Sequence, residues 1–177
     1  AELAECVDYV MILAPANPEV HFEMCREAFP YRKPTFVDKT FAPNLAVAQD
    51  IFALADRFDV AVQSTSALRS TPIQSFVREL GRSLRSMTVF AAGTSLAEYG
   101  IHPLELIVSC LGPDVEQVMR VGPDDFQQFT LLCSGERTAT VNLNLVADAP
   151  FSATVVSDHG CDHFAIDGSR LFTDAAA

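Results

Sequence analysis

The stretch Val7-Asp8-Tyr9-Val10-Met11-Ile12-Leu13-Ala14-Pro15 is a near-continuous apolar run of strand length. Such a run suits a parallel strand covered on both faces. Directly behind it, Asn17-Pro18 reads as an N-cap and first helical residue, with Val20, Met24 and Ala28 as the apolar stripe of a helix. Thr35-Phe36-Val37 predicts a second short strand, and Val60 to Ser64 a third. Between those two, Leu45 to Phe58 predicts a helix with Leu45, Ala48, Phe52 and Ala55 on one face. Strand, helix, strand, helix, strand is the order of a right-handed parallel α/β layer.

Further along, the pattern changes. Thr71-Pro72 opens another helix, with Ile73, Phe76, Val77, Leu80 and Leu84 facing inward, and Ser86 to Ala92 reads as a strand. Leu104, Ile107, Val108 and Leu111 fall at helical spacing until Gly112-Pro113 stops the run. Five β-rich segments follow: 115–121, 126–133, 138–145, 152–157 and 164–172, with the clearest hairpin turn at Ser134-Gly135-Glu136. The expected fold is α/β plus α+β. Residues 1–68 form the parallel part, and residues 69–177 form an open antiparallel sheet with helices on one face. Val141, Leu143 and Leu145 alternate with Asn142 and Asn144, which predicts an apolar sheet face that a second copy of the chain covers.

Composition narrows the function. Hydrophobic residues are 49% of the 177 and charged residues 20%, the balance of a packed globular protein. A net charge of −11 with no Lys/Arg-rich run argues against nucleic acid and anionic membrane as partners. No apolar run approaches the roughly 20 residues a membrane span needs, and no signal-peptide pattern opens the chain. The five cysteines are odd in number, form no C-x-x-C pair and mostly have apolar neighbours. They read as buried thiols of a reducing cytoplasm.

Chemistry concentrates in Gly93-Thr94-Ser95-Leu96-Ala97-Glu98-Tyr99-Gly100-Ile101-His102-Pro103. Glu98 and His102 share one face if helical, and a carboxylate that orients an imidazole makes it a better proton acceptor. The plainer alternative is a capping box, Ser95-x-x-Glu98, with His102 turned from helical geometry by the proline that follows it. Polar groups also cluster at the carboxyl ends of the three parallel strands, where ligands of open α/β sheets bind. These are Pro15-Ala16-Asn17 with His21, then Asp38-Lys39-Thr40, then Ser64-Thr65-Ser66 followed by Arg69. Lys39 there is either a loop lysine in solvent or a cation that stabilises charge on a substrate oxygen. His159, Cys161 and His163 would share one face of an extended segment, a zinc-like set. Ligands so close on one strand rarely close a tetrahedron, so a polar loop is expected there and no metal.

Four segments resemble, in order, the motifs of the Gfo/Idh/MocA oxidoreductases: 14–21, 37–42, Ser66-Ala67-Leu68-Arg69, and Glu98-Tyr99-Gly100-Ile101-His102-Pro103. The resemblance covers nearly the whole chain. It implies that residues 1–68 are the C-terminal part of a Rossmann-type NAD(P)-binding domain. It also implies that residues 69–177 are an α+β domain that carries substrate and often builds a dimer. Lys39 is similar to the lysine of the family's E-K-P turn, between nicotinamide and substrate. His102 resembles the histidine that takes the hydroxyl proton, and Glu98 stands where an aspartate is usual. Pro15, Asn17, His21 and Asp38 match the cofactor side of the site, and Arg69 a position near the substrate.

Two departures change reach while keeping charge: Asp38-Lys39-Thr40 for E-K-P, and Glu98 for Asp. The glycine-rich phosphate loop is absent and the last predicted strand runs into Ala175-Ala176-Ala177, so both ends of a larger protein are expected to be missing and the chain alone to be inactive. The resulting expectation is an NAD- or NADP-dependent dehydrogenase acting on a polyol, sugar or related hydroxy compound, cytoplasmic and self-associating. An NAD-dependent glycosidase and a non-catalytic ligand sensor of the same fold are the alternatives.

Overall fold

The computed structural model describes residues 5–14 and 17–168. Two compact units divide between Thr65 and Ser66. Ser66 to Leu68, placed with the first part in the sequence reading, belong to the second because Leu68 is buried in its core.

The first unit holds β1 (Val10–Ile12), β2 (Thr35–Val37) and β3 (Val62–Gln63), all parallel and in that order. Helices α1 (His21–Ala28) and α2 (Leu45–Phe58) pack on it around Ile12, Cys25, Phe29, Val37, Ile51 and Ala55. Residues 45–58 thus fold as the periodicity predicts, but the buried faces differ. In α2 Ala55 is buried as predicted, but Ile51 joins it while Leu45 and Phe52 are exposed. In α1 they are His21 and Cys25, while Met24 faces outward. A mostly apolar helix fits several stripes, and its neighbours select one. β1 is shorter than its apolar run and is covered on one face, not both. Val10 and Ile12 join the core while Tyr9, Met11 and Leu13 are exposed at the edge of the sheet, lining a groove of about 510 Å³.

The second unit is a six-stranded sheet in the order β5-β6-β7-β4-β8-β9. Its strands are β4 (Leu84–Ala92), β5 (Val115–Val121), β6 (Phe126–Cys133), β7 (Arg137–Asn144), β8 (Ser152–Ser157) and β9 (Gly160–Ala165). Every pair is antiparallel except β4 with β7, so the sheet is mixed. Helices α3 (Pro72–Leu80), α4 (Leu96–Tyr99) and α5 (Ile101–Leu111) complete it. Leu84 does face inward, but from the start of β4 rather than from a helix. β9 begins at Gly160, so residues 160–163 are strand and not loop. The remainder of the segment predicted to reach Phe172 lies partly outside the described residues.

One expectation about the sheet is corrected. Val141 and Leu143 are 1% and 0% exposed, because α3 and α5 of the same chain cover their face through Ile73, Val77, Leu106 and Ile107. The open face is the other one. Thr130, Thr140, Thr88 and Thr154 lie in one row across four strands, continued by Met119 at one edge and His163 at the other. None of the described helices is long and apolar enough to cross a membrane.

Candidate functional site

In the first unit, residues 38–42 leave the carboxyl end of β2. The Asp38 amide still donates to Ile12 O at 2.9 Å, and the Lys39 amide donates to Asp38 Oδ1 at 2.9 Å. The Lys39–Thr40 peptide bond is cis. Phe41 anchors the loop against Phe52 of α2, with ring centroids 5.0 Å apart. From α1, His21 Nδ1 lies 3.0 Å from Phe41 O. A carbonyl only accepts, so Nδ1 carries the proton and Nε2 of a neutral ring is an acceptor. That Nε2 is buried, and among the described residues nothing bonds it. Asn17 sits at the N-cap of the 3-10 turn Pro18–Val20, but contrary to expectation its side chain makes no capping bond. Pro15 lies outside the described residues.

In the second unit, His102 falls in the first turn of α5, and the following proline does not break the helix. Proline is tolerated in the first turn of a helix, where its fixed φ suits the helical backbone. α4 joins α5 through Gly100 at φ −61° and ψ −27°, helical values, so residues 98 to 102 run along almost continuous helix. Ser95 Oγ accepts the Glu98 amide, one half of the predicted capping box. The Glu98 carboxylate accepts the Thr94 hydroxyl at 3.0 Å. His102 Nδ1 is met by Ser66 Oγ at 2.7 Å.

Aromatic rings flank the imidazole on two sides, Tyr99 at 5.9 Å and Phe151 at 5.8 Å, both edge-on. Tyr99 in turn lies against Gly93, where a Cβ would fall 2.0 Å from the ring. Beside them is a pocket of about 310 Å³ lined by Thr94, Tyr99, Val146 and Asp148 among others. Arg69 pairs with Glu105 of α5 at 3.1 Å. Buried Gln74 holds this corner together: its amide donates to Leu68 O and to Ser109 Oγ, and its oxygen accepts from Thr71.

Ser66, Phe151 and Gln74 escaped the sequence reading. Ser64-Thr65-Ser66 stood out as a polar strand end, but nothing in its spacing ties it to a histidine 36 residues away. Cys161 and His163 alternate on β9, and among the described residues no group of three or more His, Cys, Asp or Glu is placed to hold a metal ion.

Compared with known protein families and with curated proteins, the sequence gives no match. Solved structures do resemble it. UDP-N-acetylglucosamine 3-dehydrogenase GnnA from Acidithiobacillus ferrooxidans superposes with a TM-score of 0.77 at 16% identity, over 94% of this chain and 65% of that one. An NAD binding oxidoreductase from Klebsiella pneumoniae gives 0.79 at 17%, over 96% and 57%. GenD2 from gentamicin A biosynthesis, solved in complex with NAD, gives 0.75 at 15%, over 93% and 56%. The chain therefore spans 56% to 65% of the length of these three proteins. At such identities the likeness establishes architecture: this chain has the fold of the Gfo/Idh/MocA-type oxidoreductases that its four motifs resemble.

Proposed function

We propose that the protein is an NAD(P)-dependent oxidoreductase whose substrate is a polyol, sugar or related hydroxy compound. The observation that carries this reading is His102, an imidazole held at one nitrogen and flanked by two rings, on this fold. His102 takes the hydroxyl proton as general base. Lys39, in the loop beyond β2, stabilises charge on the substrate oxygen. Glu98, one helical turn from His102, helps to orient the imidazole. Arg69, braced by Glu105, lies toward the substrate.

A nicotinamide, when bound, exchanges the hydride with the carbinol carbon. The first unit fits that end of the cofactor, since the buried, unbonded His21 Nε2 lies on the element that grips the Lys39 loop. Asn17 and Asp38 belong to the same strand ends. It does not fit the pyrophosphate, because no glycine precedes Gly81 and, among the described residues, no glycine-rich turn meets a helix N-terminus. We propose further that two copies associate through the open face of the six-stranded sheet.

In the intact protein, His102→Asn should lower turnover by about 10²–10⁴-fold with little change in cofactor affinity. Steady-state kinetics on a panel of polyols and sugars checks this. Activity within a few-fold of wild type removes His102 from the mechanism. Release of nitrophenol from a glycoside, without oxidation of free polyols, would favour the glycosidase instead.

A further inference from the structure

We infer that Ser66 sets the tautomer of His102: its hydroxyl oxygen accepts the Nδ1 proton and leaves Nε2 as the nitrogen that exchanges a proton with substrate. The assignment of a role rests on His102 being a base, while the hydrogen bond stands by itself. Ser66 is 2% exposed, and its Oγ lies 2.7 Å from His102 Nδ1. The Leu68 amide donates to the same oxygen at 3.2 Å. One lone pair of that oxygen accepts from the backbone, and a hydroxyl oxygen keeps a second that can accept the Nδ1 proton.

Both partners are held by their own elements. Ser66 opens the 3-10 turn Ala67–Arg69, and His102 opens α5. Gln74 clamps these two together by donating to Leu68 O at 2.7 Å and to Ser109 Oγ at 2.8 Å. The rings of Tyr99 and Phe151 limit rotation of the imidazole.

With His102 as the base, proton accounting gives the direction of the bond. A neutral imidazole carries one N–H. If Ser66 donated to Nδ1, Nε2 would already hold the proton, and the only basic nitrogen would be the one facing a buried serine. With Nδ1–H donating to Ser66, a proton leaving a substrate hydroxyl adds to Nε2. The Nδ1–H···Oγ bond is unchanged in the imidazolium that forms. Ser66 is a positioning residue, acting through His102.

The test is the tautomer itself, read from ¹⁵N chemical shifts of the histidine ring nitrogens in this chain, above the pH at which the rings are protonated. The expected result is a pyrrole-like Nδ1 and a pyridine-like Nε2 at His102. In Ser66→Ala that single tautomer should be lost to a mixture, and Ser66→Thr, which keeps the hydroxyl, should restore it. An Nε2–H tautomer in the wild-type chain overturns the proposal, and so does an unaltered tautomer in Ser66→Ala. Should Ser66→Ala fail to fold, the wild-type and Ser66→Thr spectra still decide between the two tautomers. A dehydrogenase assay that fails while His102 shows the expected tautomer would sink the functional reading and leave the Ser66 assignment standing.

Discussion

Cys25 lies between α1 and the parallel sheet with none of its surface exposed, and that burial pushes its thiol up to about 12. Burial raises Cys110 to about 11, with the Ser109 hydrogen bond and Arg78 opposing it, and lifts Cys133 in the same direction. A raised thiol pKa keeps the reactive thiolate scarce at neutral and mildly alkaline pH. Cys6 and Cys161 are exposed. A colourless disulfide reagent that releases a coloured thiolate should therefore titrate Cys6 and Cys161 quickly in the native chain at pH 8. Cys25, Cys110 and Cys133 should react only after denaturant is added. Rapid native labelling of Cys25, located by mass spectrometry, would show that the first unit opens far more readily than its packing implies.

Helix ends and one close approach govern stability at the scale of elements. α3 starts with a complete capping box, Thr71 Oγ1 accepting the amide at its N-terminus while Gln74 reaches back to the Thr71 amide. Thr71→Ala removes the cap and loosens the oxygen side of Gln74, so it should cost about 1–2 kcal/mol. The urea midpoint measures this. Gly93→Ala acts differently: its new Cβ would overlap the Tyr99 ring and force α4 to move. Because Tyr99 also flanks His102, this variant should disturb the His102 ring resonances as well as lower the midpoint. If Gly93→Ala leaves both unchanged, the close contact between residue 93 and Tyr99 is not maintained in solution.

The whole molecule contains two sheets with different relations to their surroundings. The parallel sheet exposes Tyr9, Met11 and Leu13, and its unit supplies no glycine-rich phosphate turn. Titrating NADH into this chain and following its fluorescence should show no saturable micromolar binding, because no glycine-rich turn brings the diphosphate to a helix N-terminus among the described residues. Saturable binding would mean that the cofactor site is built from other residues, and the role of Lys39 would have to be reassigned. The six-stranded sheet presents a threonine row with Met119, Val121, Leu132, Phe126 and Phe90 exposed around it. Light scattering at tens of micromolar should report a dimer, and Met119→Asp with Leu132→Asp should convert it to a monomer without unfolding it. A monomeric wild type would count against the sheet as an interface.

Order along the chain was legible without coordinates: strand 35–37, helix 45–58 and strands 115–121, 126–133 and 152–157 fall where local pattern puts them. Periodicity and turn chemistry are properties of a few consecutive residues, so the sequence carries them directly. Faces were another matter. Alternation at Val141, Asn142 and Leu143 announces that one side is apolar, but only packing decides that α3 and α5 fill it. Likewise Leu45 and Phe52 fit a helical stripe with Ala55 as well as Ile51 does, and the sheet kept Ala55 but chose Ile51 over the other two. The parallel pairing of β4 with β7 follows from strand order, which the spacing of strands along the chain does not reveal. In the same way, sequence singled out His102 by its type and its neighbours. Tertiary structure alone brought Ser66 to its Nδ1, because a hydrogen bond between residues 36 apart leaves no periodic trace in either segment.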